Sequence, residues 1–123
     1  MKSIDKFLAS ADGALTKCHL VDPRSAIIKD NVYDGYLAGF GPAVITSGLI
    51  QTIAAYVADD KRKHVMDAIA MVAAIDRKLT GKELLSHCLE QQDKHKLNIW
   101  RTTIIDVSIA LKMMIRTYAP IKD

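Results

Sequence analysis

The sequence predicts an all-α protein: one helical bundle of about six helices in a single domain over residues 1–123. Three observations carry that reading. Apolar residues recur at gaps of three and four along 3–19 and again along 94–118, the spacing that puts a stripe on one face of a helix. No window alternates apolar and polar residues between glycine turns, as strands would. Helix punctuation recurs at short intervals: Asp22-Pro23, Gly41-Pro42 and the Thr80-x-x-Glu83 pattern.

The first helix runs over 3–19 and turns Ile4, Phe7, Leu8, Ala11, Leu15 and Cys18 inward. "VDPRS" at 21–25 reads as a turn, with Asp22 placed to cap and Pro23 at a first helical position. A second helix is expected from Ser25 to Ala38, burying Ile27, Ile28, Val32, Tyr36 and Leu37. Pro42 then starts a third, ending near Ala58. The charged turn "DDKRK" at 59–63 leads into a fourth helix with Val65, Met66, Ile69, Val72 and Ala73 inside. The capping box at 80–83 opens a short helix that buries Leu84, Leu85, Cys88 and Leu89. The last helix spans 94–118 with a seam of Leu97, Trp100, Ile104, Val107, Leu111, Met114 and Tyr118, and Pro120 ends it.

Composition narrows the function classes. Half of the 123 residues are hydrophobic, enough for one core, and only 6% are aromatic, so that core is aliphatic. A net charge of +3 tolerates nucleic acid without demanding it. The opening "MKSIDKFLASADG" carries acids and breaks its apolar run early, so no secretory leader is expected. Two cysteines with no CxxC fit reduced thiols in a cytoplasmic protein.

Catalytic patterns are missing. Cys18-His19 and His87-Cys88 are adjacent pairs, which a helix points about 100° apart, so neither forms a two-ligand clamp. His64 and His95 stand alone. Asp59-Asp60, Asp5, Asp76 and Asp106 form no dyad, and there is neither HExxH nor GxSxG. No cofactor, no metal and no enzymatic activity are expected.

Basic residues say more. Lys61, Arg62, Lys63 and His64 are consecutive. On the last helix, Lys94, Arg101, Lys112 and Arg116 fall within about 60° of one another and form a stripe about 30 Å long, clear of the seam. Ile105, Ile109 and Met113 border it. A solvated face explains such a stripe by itself. Its functional counterpart is a surface whose cations meet a phosphate backbone while its apolar edge meets another protein chain.

Residues 33–56, "YDGYLAGFGPAVITSGLIQTIAAY", hold four of the six glycines. Val44 stands where GxGxxG needs glycine and no GK[ST] follows, which argues against a phosphate loop. Gly41-Pro42 and the polar Thr46, Ser47, Gln51 and Thr52 argue against a membrane span. What remains is a corner at 39–41 followed by a helix, 42–58, buried on both sides. Gly48 then falls mid-helix, where a neighbouring backbone would come close.

This stretch resembles the signature of the small all-helical subunit of type III-B CRISPR (Cmr) effector complexes, a pattern of the kind Y-x-G-Y…F-G…I…G-L…Q-T…A. Tyr33, Gly35, Tyr36, Phe40, Gly41, Ile45, Gly48, Leu49, Gln51, Thr52 and Ala54 match it. Ala55 stands where the family often has an aromatic, and Tyr56 follows it. The resemblance implies a non-catalytic scaffold in antiviral defence, in which RNA cleavage belongs to another subunit. The implied partners are other Cmr subunits, further copies of the chain, and the guide RNA–target RNA duplex, with no membrane.

Two other classes compete. A helix-turn-helix DNA regulator would use 79–92 and the helix after it, although Leu97, Ile99 and Trp100 give that helix an apolar start. A small helical enzyme with a metal in its core lacks the inward carboxylates it would need, and a small helical adaptor remains an alternative.

Overall fold

The computed structural model describes residues 4–74 and 79–120; the expectations that touch Ser3 and Asp76 lie outside them. Six α-helices and one two-stranded hairpin follow in order among the described residues: α1 Leu8–Lys17, β1 Val21–Asp22, β2 Ile27–Ile28, α2 Val32–Ser47, α3 Leu49–Ala58, α4 Arg62–Ala73, α5 Gly81–Glu90 and α6 Lys94–Ile115. The all-α expectation holds.

α1 closes on His19, whose φ of 63° is left-handed. The Leu20 N–H donates to the Leu15 carbonyl at 2.9 Å and the His19 N–H to that of Thr16 at 3.2 Å. Leu15 and Leu20 are both fully buried. These bonds and this apolar pair make up the Schellman motif, which satisfies the last carbonyls of the helix.

The expected helix from Ser25 to Ala38 does not begin until Val32. Residues 21–28 form a hairpin instead, pairing Val21 with Ile28 and Asp22 with Ile27. The reason is local and then tertiary. The Asp22 carboxylate accepts from the Arg24 N–H at 3.0 Å and the Ser25 hydroxyl at 2.8 Å, which favours a turn. The chain after α6 then returns to it: the Ile28 N–H donates to the Ala119 carbonyl and the Ala119 N–H to that of Ala26, both at 2.9 Å. Ile27 and Ile28 are therefore strand residues.

The second correction concerns the glycine stretch. α2 runs unbroken through Gly41 and Pro42, and the corner lies at Gly48. Pro42 has no N–H to return to the Ala38 carbonyl, but the clash that usually bars helix before proline involves the preceding Cβ, and Gly41 has none. Gly48 adopts φ 94° and ψ 158°, a region essentially confined to glycine. It separates two helices. It does not admit a neighbouring backbone, as the mid-helix reading had it.

Nor is the 42–58 segment buried on both sides. Leu49, Thr52, Ile53 and Tyr56 are buried, whereas Gln51, Ala54 and Ala55 are exposed and Ile45 is 69% exposed. α4 is the central helix, packed against α1, α2, α3, α5 and α6. Its Val65, Met66, Ala68, Ile69, Ala70 and Val72 are all buried. Small alanines between large aliphatics let helices approach from several sides.

The signature residues build the α2–α3 contact. Phe40 is fully buried and meets Tyr56 edge to face, ring centroids 5.2 Å apart. The Tyr56 hydroxyl donates to the Tyr36 carbonyl at 2.6 Å.

α5 opens on the expected capping box: the Glu83 N–H donates to the Thr80 hydroxyl oxygen and the Thr80 N–H to the Glu83 carboxylate. Leu84 and Cys88 are buried, but Leu89 is 62% exposed and leaves the expected inner face. α6 is capped by Asp93, which accepts from the His95 and Lys96 N–H groups. It ends at Ile115, short of the expected 118, and Ile115 replaces Met114 in the buried seam beside Ile104, Val107 and Leu111. Tyr118, beyond the helix, donates its hydroxyl to Asp12 at 2.7 Å and ties the tail to α1.

Candidate nucleic-acid interface

α2 and α6 pack antiparallel: Arg116 reaches Asp34 near the start of α2, and Ile105 lies against Gly41. α6 carries Lys94, Arg101, Lys112 and, at its end, Arg116, while Lys61, Arg62 and Lys63 lie at the start of α4, and the structure divides them by partner.

Each cation of the 61–63 cluster has a carboxylate within 4.0 Å. Lys61 Nζ lies 2.8 Å from Asp30, Arg62 lies 3.5 Å from Asp59, and Lys63 lies 3.9 Å from Asp60. Asp59 also accepts from the Lys61 and Arg62 N–H groups, so it caps α4. The Arg62 guanidinium stacks on Tyr36, 4.4 Å from the ring centroid. The hydrogen bond from Lys61, then that from the Val32 N–H, holds the Asp30 carboxyl below its ordinary range, and the Asp30 bond correspondingly raises Lys61. The Arg62 N–H lowers Asp59 most. The side chains of Lys61, Arg62 and Lys63 form local ion pairs around the turn between α3 and α4, with Lys61 reaching back to Asp30 before α2. The sequence pattern missed this because Asp30 lies 31 residues away from Lys61.

On α6 the stripe divides again. Arg116 Nε donates to Asp34 at 3.0 Å. Lys94, Arg101 and Lys112 have no described carboxylate within 4.0 Å. They keep the expected alignment, seven and eleven residues apart, about 27 Å from end to end at 1.5 Å per residue. Gln92 to Lys96 are all exposed, so the first turn of α6 stands clear of the body.

The apolar row is less exposed than expected. Ile105 and Ile109 are half-buried, and Ile105 packs on the core; Met113 is 46% exposed. Ile45 of α2, the most exposed large apolar side chain among the described residues, borders the same face. Two hollows follow the α2–α6 seam. One, of about 240 Å³, lies between Gly41, Pro42 and Ile45 on α2 and Ile105, Ile109 and Lys112 on α6. The other, of about 220 Å³, lies between the Gly48 corner and Leu97, Asn98 and Arg101.

Nothing in this face resembles a reaction centre. Among the described residues no three His, Cys, Asp or Glu side chains are grouped to hold a metal. Cys18 is buried while His19 is exposed, and Cys88 is buried while His87 is half-buried, so each adjacent pair points apart. Burial, with Asp67 adding to it, pushes the Cys18 thiol up to about 11, and burial also raises Cys88; neither is poised as a nucleophile. Comparison of the chain with protein-family models, curated proteins and solved structures returns no match. Among the described residues, no helix is long and apolar enough to cross a membrane.

Proposed function

We propose that the chain is a non-catalytic subunit of a type III-B CRISPR effector complex, in which its α2–α6 face lies along the phosphate backbone of the guide RNA–target RNA duplex. The observation that carries this is the row Lys94, Arg101 and Lys112: three cations on one helix face with no described carboxylate within 4.0 Å, where Lys61, Arg62, Lys63 and Arg116 each have one. Cations at helical spacing offset phosphate repulsion without reading bases, as a subunit that must accept any guide requires. The glycine-leucine signature adds support, since its residues build the α2–α3 contact beside that row. Other subunits of the complex and further copies of the chain are the implied protein partners.

RNA binding by the chain, measured over a salt series, tests this reading. Three phosphate contacts give a slope of log affinity on log salt of roughly −2 to −3, at −0.7 to −0.9 per contact. Arg101→Ala lowers that slope by about one contact, whereas Lys63→Ala leaves it nearly unchanged because Lys63 already faces Asp60. Equal effects of the two substitutions would sink the assignment.

A helix-turn-helix reading draws on one observation: a three-residue connection, 91–93, leads into the exposed turn Lys94–Lys96. Strong preference for one duplex DNA sequence at fixed salt would favour it.

A further inference from the structure

We propose that the hollow between Pro42 and Ile45 of α2 and Ile105 and Ile109 of α6 is the docking groove for an amphipathic helix of a different protein, one that carries carboxylates beside its apolar face. The inference rests on the proposed place of the chain in a multisubunit complex, and it names the chemistry of one partner segment.

The lining selects the occupant. Its walls are apolar, and Ile45, 69% exposed, projects beside them. The floor is low because Ala38, Gly41 and Ser108 are small. A shallow trough between two antiparallel helices receives a third helix through residues spaced i, i+3 or i+4 and i+7. The groove offers little to a nucleic acid: its only hydroxyl, on Ser108, donates to the Ile105 carbonyl at 2.6 Å. Lys112 is its one charged residue, with no described carboxylate within 4.0 Å. Arg101, eleven residues back along the same helix, likewise has no described carboxylate within 4.0 Å.

A docked apolar helix removes water from around Lys112. A carboxylate on that helix offsets the loss; an uncharged or basic helix does not. A second copy meeting face to face would bring the same cations against themselves, on a chain whose net charge is already +3.

The test selects peptides of about 14 residues (some four helical turns) from a phage library on the full chain, without RNA. The expected winners carry large apolar residues at helical spacing with Asp or Glu beside them. A synthetic winner should bind Ile109→Asp about tenfold more weakly or worse. Selection on Lys112→Glu should favour Lys or Arg in place of the acids. Because Lys112 is half-buried at the rim and packs little into the core, that variant keeps the test decisive should Ile109→Asp unfold. No enrichment, an uncharged or basic consensus, or one indifferent to Lys112→Glu would overturn the proposal. So would a chain dimer that Lys112→Glu abolishes, which would assign the groove to a second copy. The salt-slope experiment does not use the groove's apolar walls, so failure of docking and failure of the RNA reading appear separately.

Discussion

Replacing Gly48 by alanine perturbs the corner between α2 and α3 and nothing else. At φ 94° and ψ 158° an L-residue is strained by about 1–3 kcal/mol. The backbone cannot relax cheaply, because both of its polar groups are committed. The Gly48 N–H donates to the Val44 carbonyl at 2.9 Å, and the Gly48 carbonyl accepts from the Thr52 N–H at 3.2 Å and the Thr52 hydroxyl at 2.8 Å. A Cβ would also meet Gln51 Oε1 at 2.7 Å. Gln51 is exposed and can swing away, so that contact adds little. Alanine offsets roughly 0.4–1 kcal/mol by narrowing the unfolded ensemble. The net loss is about 1–2 kcal/mol, a fall in Tm of roughly 3–10 °C for a chain of this size. Urea unfolding should show a lower midpoint with an unchanged slope, and truncating Gln51 as well should not restore it. Gly13 and Gly35 are the controls. Both are helical and exposed, with nothing within 4 Å of a built Cβ. Alanine there should stabilise, by up to about 1 kcal/mol. If Gly48→Ala behaves like the controls, the corner is not at Gly48.

Pro42→Ala should stabilise by about 1–3 kcal/mol, because proline interrupts the ladder inside α2; a urea midpoint that stays put or falls would show that α2 starts at Pro42 after all. Cys18, raised from an ordinary 9.0 to about 11, should hold ~100-fold less thiolate at a given pH, so iodoacetamide near pH 8 should label it in urea far faster than in the native protein, as mass spectrometry would read. Asp22, Asp30, Asp59 and Glu83 are all pulled below their ordinary values of 3.8 and 4.5 by the hydrogen bonds they accept, so the stability they add is present above those values and lost as pH falls through the depressed ones. The urea midpoint should therefore hold from about pH 7 to 5 and drop by pH 3; a flat profile would mean that these bonds do not persist in solution.

Helix identity was legible wherever one stripe had no rival. The Thr80–Glu83 box, the α4 positions Val65, Met66, Ile69 and Val72, and the α6 positions Ile104, Val107 and Leu111 read directly from spacing. Two places were not legible, each for a physical reason. At 25–31 the periodicity of Ile27, Ile28 and Val32 suits a helix, but Asp22 turns the chain and the Ala119 tail supplies strand bonds from 92 residues away. At 39–48 the sequence offers two breakers. Gly-Pro is the more familiar, yet Gly41 softens the pre-proline clash, and the positive φ falls at Gly48. The basic face was half legible. The helical angle groups Lys94, Arg101 and Lys112 on α6, but charge counting cannot show that Asp30 and Asp34 lie beside Lys61 and Arg116.

The central claim is membership of an RNA-guided assembly. Purification of the tagged full chain from its native host, followed by identification of the bound RNA and protein, tests it most directly. The account predicts co-purification with guide RNA and the other subunits of a CRISPR effector, with both retained in Lys63→Ala and the RNA lost when Lys94, Arg101 and Lys112 are all changed to glutamate. Recovery of the chain alone, or with DNA in place of guide RNA, would contradict it.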